Sequence, residues 1–427
     1  MFLAIDDTDS RKGMCTTFLI TELLKEFGEL ELMDHPWLVR LNPNIPWKTR
    51  GNGAVVIRLG KGFEEKNLIG FHDKEIFSYT GEPMEMSGVL KRAAVVVEDW
   101  SELTEEGTNP GLIVSKEKPP LAVYQKAVRD VVELNEALNI LDSMDCEYIG
   151  LGNKRGLIGA LAAMAWVPRD HTYELIAYRE RKRWGTERNI SGIIDFDRVT
   201  EHTFDTYDHE EKQQAIAPRS PCPVLYGVRG DKPDELMNAL TMIKGEPVER
   251  WLLFQTNQAT DDHIQESVLE KVKPWTSVRI KGTVSSLPRT IPGGHVLFDV
   301  EQKLTAAAYE PTKGFRRIVK KLMVGDVVEL LGGVRKEPLT LNIEKLRVLH
   351  LAEKKEKVAN PQCPECKKRM SSVGKDAGFR CKRCGTKAGE DEVEMEKVDR
   401  EISEGWYEVP VCARRHLSKP LKRVKTE

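Results

Sequence analysis

The chain has 427 residues, 40% of them hydrophobic, and a formal net charge of −2. That length predicts two to four domains with sizeable cores. No run approaches about 18 consecutive apolar residues and no basic segment precedes an apolar one at the start, so neither a transmembrane helix nor a secretory signal is expected.

The first stretch carries most of the chemistry. Phe2 to Ile5 is a short apolar run suited to a buried strand. Asp6, Asp7 and Asp9 follow within four residues, and a helical pattern opens around Met14 to Thr17. Carboxylates there can hold Mg²⁺, and a helix start favours an anion. Helix capping alone needs fewer acids than three.

Two strand candidates, 37–41 and 54–59, flank a loop with two prolines, two glycines and the cations Lys48 and Arg50. Lys48, Arg50 and Asn52 are candidate phosphate or RNA contacts; an ordinary exposed loop is the competing reading. A strand is expected over 93–97, another over 112–114, and one long helix over 124–144.

A short apolar segment then meets Gly150, Gly152, Asn153, Lys154, Arg155 and Gly156, and an Ala-rich helix begins. Glycines let backbone amides close on a phosphate, and Lys154 and Arg155 supply charge. The pattern matches neither the P-loop nor the dinucleotide fingerprint, and close helix packing would also explain the glycines. The amphipathic stretch 172–184 ends in a basic cluster, 179–188, which reads equally as a solvated helix face or an RNA contact.

From about residue 195 a smaller α+β unit is expected, with a helix over 233–244 and a strand at 251–254 that enters a polar stretch, 255–263. Its β-α-β order fits a ferredoxin-like unit. His263 reads as structural. Residues 275–351 alternate at period two in five strands, with a helix between the third and fourth, the layout of an OB fold. OB folds bind single-stranded nucleic acid.

Cys363, Cys366, Cys381 and Cys384 form two CxxC pairs fourteen residues apart. Four thiolates at this spacing predict a closed structural Zn²⁺ site, a zinc ribbon. The other four cysteines stand alone, which indicates metal use in a reducing compartment and a cytoplasmic location. Residues 391–427 form a charged tail, acidic over 390–404 and basic over 414–425, and its part from 411 to 425 is expected to be disordered or RNA-bound.

Taken in order, the acidic start with Gly13 to Thr17, the Arg40–Gly53 loop, the Gly150–Gly159 loop, the Phe254–Gln258 segment, an OB unit and a CxxC ribbon resemble the archaeal tRNA(Ile) 2-agmatinylcytidine synthetase family, also called TiaS. The resemblance spans nearly the whole chain. It implies a multidomain α+β protein: a kinase-like α/β domain over 1–195, a ferredoxin-like domain over 196–272, a β-barrel OB fold over 273–352 and the ribbon over 360–390. It implies a ligase that attaches agmatine to carbon 2 of the wobble cytidine of the isoleucine tRNA with a CAU anticodon. ATP would be converted to AMP and diphosphate, and its γ-phosphate would be passed to the base. Asp6, Asp7 and Asp9 would hold Mg²⁺, and Thr16 would be phosphorylated by the enzyme itself, with Thr17 as the neighbouring alternative. Gly150, Gly152, Asn153, Lys154, Arg155 and Gly156 would hold ATP. Agmatine needs carboxylates, for which Asp205, Asp208, Asp261 and Asp262 are candidates. No membrane and no protein partner is implied. A non-catalytic RNA-binding protein would bind tRNA without using ATP; a modifier using another amine would differ only in a pocket with no readable motif.

Overall fold

In the computed structural model the described residues are 1–48, 51–84, 87–374 and 376–424. The expected contact Arg50 lies outside them. The chain is a mixed α/β multidomain protein with a barrel and a zinc ribbon.

The strand Phe2–Asp6 sits inside an eleven-stranded sheet, antiparallel to Gly53–His72 on one side and to Gly111–Ser115 on the other. Period-two alternation sorts its side chains. Leu3 and Ile5 enter one core with Phe18, Leu23 and Val97; Ala4 enters the opposite core with Leu157, Ala160 and Trp166. The helices Thr16–Glu26 and Val89–Trp100 therefore cover one face, and Leu121–Arg129, Leu134–Asp142 and Gly156–Met164 cover the other. The strands Thr172–Tyr178, Val224–Gly230 and Arg250–Thr256 continue the same sheet. Arg250–Thr256 runs parallel to Trp37–Arg40. One sheet thus passes through both of the first two units.

Six strands between Ser277 and His350 curl into a barrel, with Ser277–Thr283 antiparallel to Val327–Arg335 and a bridge from Val284 to Val300. Its helix is Gly314–Val319. In the ribbon the two cysteine turns repeat one geometry. The Lys367 amide donates to the Cys363 carbonyl and the Gly385 amide to the Cys381 carbonyl, at 2.8 and 3.0 Å. Lys367 and Gly385 both have positive φ.

Several local expectations change. Residues 93–97 lie in the helix Val89–Trp100, because Val89, Leu90, Ala93, Ala94 and Val97 fall on one buried face. A short apolar run fits either period, so its packing partner decides. The single helix expected over 124–144 is two, Leu121–Arg129 and Leu134–Asp142; Asp130 is extended, with its carboxylate accepting the Val131 amide at 2.7 Å. The stretch 172–184 is an interior strand, Thr172–Tyr178, followed by a turn. Its Arg179 is fully buried against Glu246 at 2.7 Å, and Arg188 donates to the carbonyls of Ser220, Cys222 and Val224. Those two arginines of the basic cluster are structural.

The basic tail packs on the protein over residues 414–424. Gly405–Glu408 adds a strand to the barrel, and residues 409–424 run back over the first sheet as a strap. The Ala259 amide donates to the His416 carbonyl and the Asp261 amide to the Leu417 carbonyl, at 2.8 and 2.9 Å. Leu417 is buried among the helices of the second core. Arg423 pairs with Asp170 and Asp231. Among the described residues, no helix is long and apolar enough to cross a membrane.

Candidate active site

A cleft of about 500 Å³ opens where the first strand ends. Asp6 is the last residue of Phe2–Asp6, and Asp7 turns the chain at φ 58°. Asn109 secures that turn: its amide donates to the Asp7 carbonyl at 3.1 Å. The helix Gly156–Met164 crosses directly over Asp6. A Cβ on Gly159 would stand 1.7 Å from Asp6 Oδ2, and one on Gly156 would stand 2.7 Å from the Asp6 carbonyl. Glycine at both positions is a requirement of close packing.

Asp6, Asp7 and Asp9 all line the cleft. Burial pushes the Asp6 carboxyl well above its ordinary range, helped by the charge of Asp7. Burial and the Asp9 charge push Asp7 up to about 7. Crowded, half-dehydrated carboxylates of this kind fit a hard divalent cation, which would relieve their mutual repulsion. Arg155 faces the pair and partly offsets them. Thr16 and Thr17 open the helix Thr16–Glu26 on the same rim, and the Thr16 hydroxyl accepts a hydrogen bond from Thr8 at 3.0 Å.

The remainder of the glycine-rich loop stands beside this rim. Of the six residues expected to hold ATP, Arg155 lines the cleft. It lies over the Trp47 ring, 4.9 Å from the centroid. Gly152 (φ 57°) and Asn153 close on the Asn109 side chain, Lys154 has φ 64°, Gly150 packs under Lys154, and Gly156 is used as above.

The opposite wall is basic. Lys48 donates to the Pro43 carbonyl and Asn52 to the Asn42 carbonyl, so both hold the loop's shape while lining the cleft. Burial and then Arg415 lower Lys48 to about 8. Arg40 and Arg229 converge on the buried Glu174, at 3.7 and 3.0 Å. The 254–258 segment explains itself here. Asn257 accepts from the Arg40 amide at 2.7 Å and donates to its carbonyl at 2.9 Å, while Gln258 donates to Glu174. These buried amides fix the cationic wall.

Sequence reasoning missed Glu174, Arg229 and His416. Glu174 and Arg229 lie on interior strands and had only their unexpected charge as a signal; His416 comes from the strap. The agmatine candidates are spent elsewhere. Asp205 pairs with Arg414, Asp208 accepts the Cys412 amide, Asp261 pairs with Lys345, and Asp262 accepts from Tyr124. None of the four lines the cleft; Asp130 and Glu174 do.

Cys363, Cys366, Cys381 and Cys384 gather their sulfurs within 4.8 Å of one another. Four convergent thiols fill a tetrahedral Zn²⁺ shell, so the site is structural.

Family models match the same order of units: the TiaS TCKD domain over residues 2–153, the TiaS FLD domain over 154–263, and the TiaS C-terminal zinc ribbon domain over 360–402. The chain belongs to the TiaS family. It is 42% identical to the isoleucine-tRNA 2-agmatinylcytidine synthetase TiaS of Archaeoglobus fulgidus, covering 100% of this chain and 98% of that one. It is 39% identical to the same-named protein of Methanocaldococcus jannaschii, covering 99% of each. A crystal structure of TiaS in complex with its isoleucine tRNA and ATP superposes with TM-score 0.86 at 40% identity, over 100% of this chain and 98% of that one. A complex of TiaS with the same tRNA, AMPCPP and agmatine gives 0.83 at 37%, with the same coverage. The TiaS family resemblance read from the sequence is borne out.

Proposed function

We propose that this protein is an ATP-dependent tRNA-modifying ligase that joins agmatine to carbon 2 of the wobble cytidine of the CAU-anticodon isoleucine tRNA. The observation that carries the reading is the cleft itself: strand-end carboxylates and a helix-start threonine on one wall, cations on the other, in a chain alike over its full length to enzymes named for this reaction.

The cytosine O2 is a poor leaving group, so it must be activated before an amine can replace it. Hydrolysis of ATP between its α- and β-phosphates gives AMP and diphosphate. Transfer of the terminal phosphoryl of that diphosphate to O2 leaves one phosphate. The agmatine amine then adds at carbon 2, loses its proton, and expels the second phosphate. Asp6, Asp7 and Asp9 would hold Mg²⁺, which when bound neutralises charge on phosphate oxygens. One of the three carboxylates takes the proton of the attacking water or hydroxyl. Thr16 would take the terminal phosphoryl from the diphosphate, its hydroxyl proton passing to a carboxylate, and hand it on to O2, so one AMP and two phosphates are still formed. Arg155 and the amides of the 150–156 loop approach the ATP phosphates. The doubly charged agmatine is drawn to the carboxylates that line the cleft, Asp130 among them.

In this reading residues 1–195 are the kinase-like domain and 196–272 the ferredoxin-like domain, acting as one body through their shared sheet. The barrel over 273–352 is an OB fold that, with the ribbon over 360–390, holds tRNA, and the enzyme works in the cytoplasm. The test is turnover of the purified protein with a panel of amines and the CAU-anticodon tRNA, read by mass spectrometry of the wobble nucleoside and by AMP release. AMP formed only with agmatine and this tRNA is expected. Incorporation of another amine, or tRNA binding without AMP, would sink the reading.

A further inference from the structure

Positive charge gathers on the wall facing Asp6, Asp7 and Asp9, around the buried carboxylate of Glu174. Arg40 and Arg229 share Glu174, and Lys48 stands beside them. His416 enters the same wall from the strap. Two buried polar atoms there have no hydrogen-bond partner among the described residues: Arg40 Nε and His416 Nδ1. Buried donors and acceptors are normally satisfied, so an unfilled pair beside a cleft calls for a partner from outside the chain. We propose that Arg40, Lys48, Arg229 and His416 form a phosphate subsite, completed only when the strap delivers His416. The proposal rests on the reading of this cleft as the reaction site.

The local geometry is built for close approach. A Cβ on Gly51 would stand 2.7 Å from Arg40 Nη1 and 3.3 Å from His416 Nε2; one on Gly53 would stand 2.9 Å from Arg40 Nη1. The loop glycines therefore clear space for these two side chains, as well as for a ligand. The strap holds His416 from both sides. Its own carbonyl accepts from Ala259, Leu417 is buried next to it, and Arg415 donates to Asn44 Oδ1 at 2.7 Å. Burial, and then Arg40, Arg229 and Lys48, keep the imidazole neutral. A neutral imidazole offers an anionic oxygen one N–H without adding repulsion to the cations around it. The four groups come from separate segments, a strand end, a loop, an interior strand and the strap, which suits a tetrahedral phosphate with several oxygens better than a planar carboxylate.

The phosphate has two possible sources, an RNA phosphodiester or the nucleotide. His416→Ala and Lys48→Met, in the full chain, separate them. The affinity of each for a CAU-anticodon tRNA transcript is measured over a salt series, and the affinity for ATP is measured without RNA. A loss of about five- to tenfold for tRNA alone assigns the site to the phosphodiester, with the Lys48→Met salt slope falling by about 0.7 to 0.9. A similar loss for ATP alone assigns it to the nucleotide. His416→Gln, which keeps an N–H, recovers part of the loss. Unchanged affinity for both ligands in folded His416→Ala overturns the proposal, and if that variant does not fold, unchanged affinity in Lys48→Met does so. If Asp7→Asn keeps full turnover, the reading of the cleft as the reaction site fails, whatever the affinities of the His416 and Lys48 variants show of the subsite.

Discussion

The Thr8 hydroxyl donates to the Thr16 hydroxyl at 3.0 Å, across the turn that links the first strand to the first helix. This bond occupies one lone pair of Thr16 and leaves its own proton free to be removed on the cleft side. After incubation with ATP and a divalent cation, mass spectrometry is expected to find a phosphate on Thr16, absent in Thr16→Val and retained in Thr17→Val. A phosphate on Thr17 instead would move the role one residue along.

Asp7 titrates at about 7, far above its ordinary value of 3.8. A carboxyl raised in the folded state favours folding while protonated, so stability without divalent cations falls as pH rises from about 4 to about 7. Asp7→Asn removes that loss and should stabilise the protein at pH 8 by on the order of a few kcal/mol in chemical denaturation. Cation binding works in the opposite sense. It requires the ionised form, so below pH 7 Mg²⁺ binding is accompanied by proton release, measurable by calorimetry in buffers of different ionisation enthalpy. Equal enthalpies in all buffers at pH 6.5 would exclude Asp7 as a ligand.

Arg414 and Asp205, about 5% and 6% exposed in their side chains, pair across 209 residues of sequence. Arg414→Met strands a buried carboxylate and is expected to cost about 3–5 kcal/mol in denaturant unfolding. The double variant with Asp205→Asn should recover part of that, since the more deeply buried carboxylate is then gone and only Glu408, 2.7 Å from the Arg414 guanidinium, keeps an unpaired charge. Additive losses would mean that the strap is held by its other contacts.

Chelation of the ribbon zinc should unfold 360–390 and leave the larger units intact, because their cores share no residue with the ribbon's cluster around Cys363, Met370 and Phe379, while Ile402 already belongs to the barrel core. Circular dichroism should change little, tRNA affinity should drop, and binding of ATP measured without RNA should survive. Collapse of the whole protein on chelation would contradict this.

Some of the architecture was legible in the sequence for clear physical reasons. The first strand alternates between two cores, the barrel strands keep period two, and thiol spacing alone locates the zinc cluster. Asp6, Asp7, Asp9, Thr16, Lys48, Asn52 and Arg155 do meet in one cleft. The failures share a cause as well. Residues 172–178 carry both polar and apolar side chains because Glu174 faces a buried arginine pair rather than water, so the period looked helical. The ladder of ion pairs from Arg414 to Arg423 joins positions about two hundred residues apart and leaves no local pattern. A basic segment whose acidic partners are distant looks in sequence like one that awaits RNA.

The strap also sets an order of events in synthesis. Every other wall of the cleft leaves the ribosome before residues 409–424 do. The sheet, the acidic rim and the glycine-rich loop can fold while His416 is still in the exit tunnel. A nascent chain would thus carry the groups that attack ATP before the cationic wall is complete, and would lack part of its hold on a phosphate until translation had passed the strap. The protein gains its full binding surface only after residues 409–424 have been made.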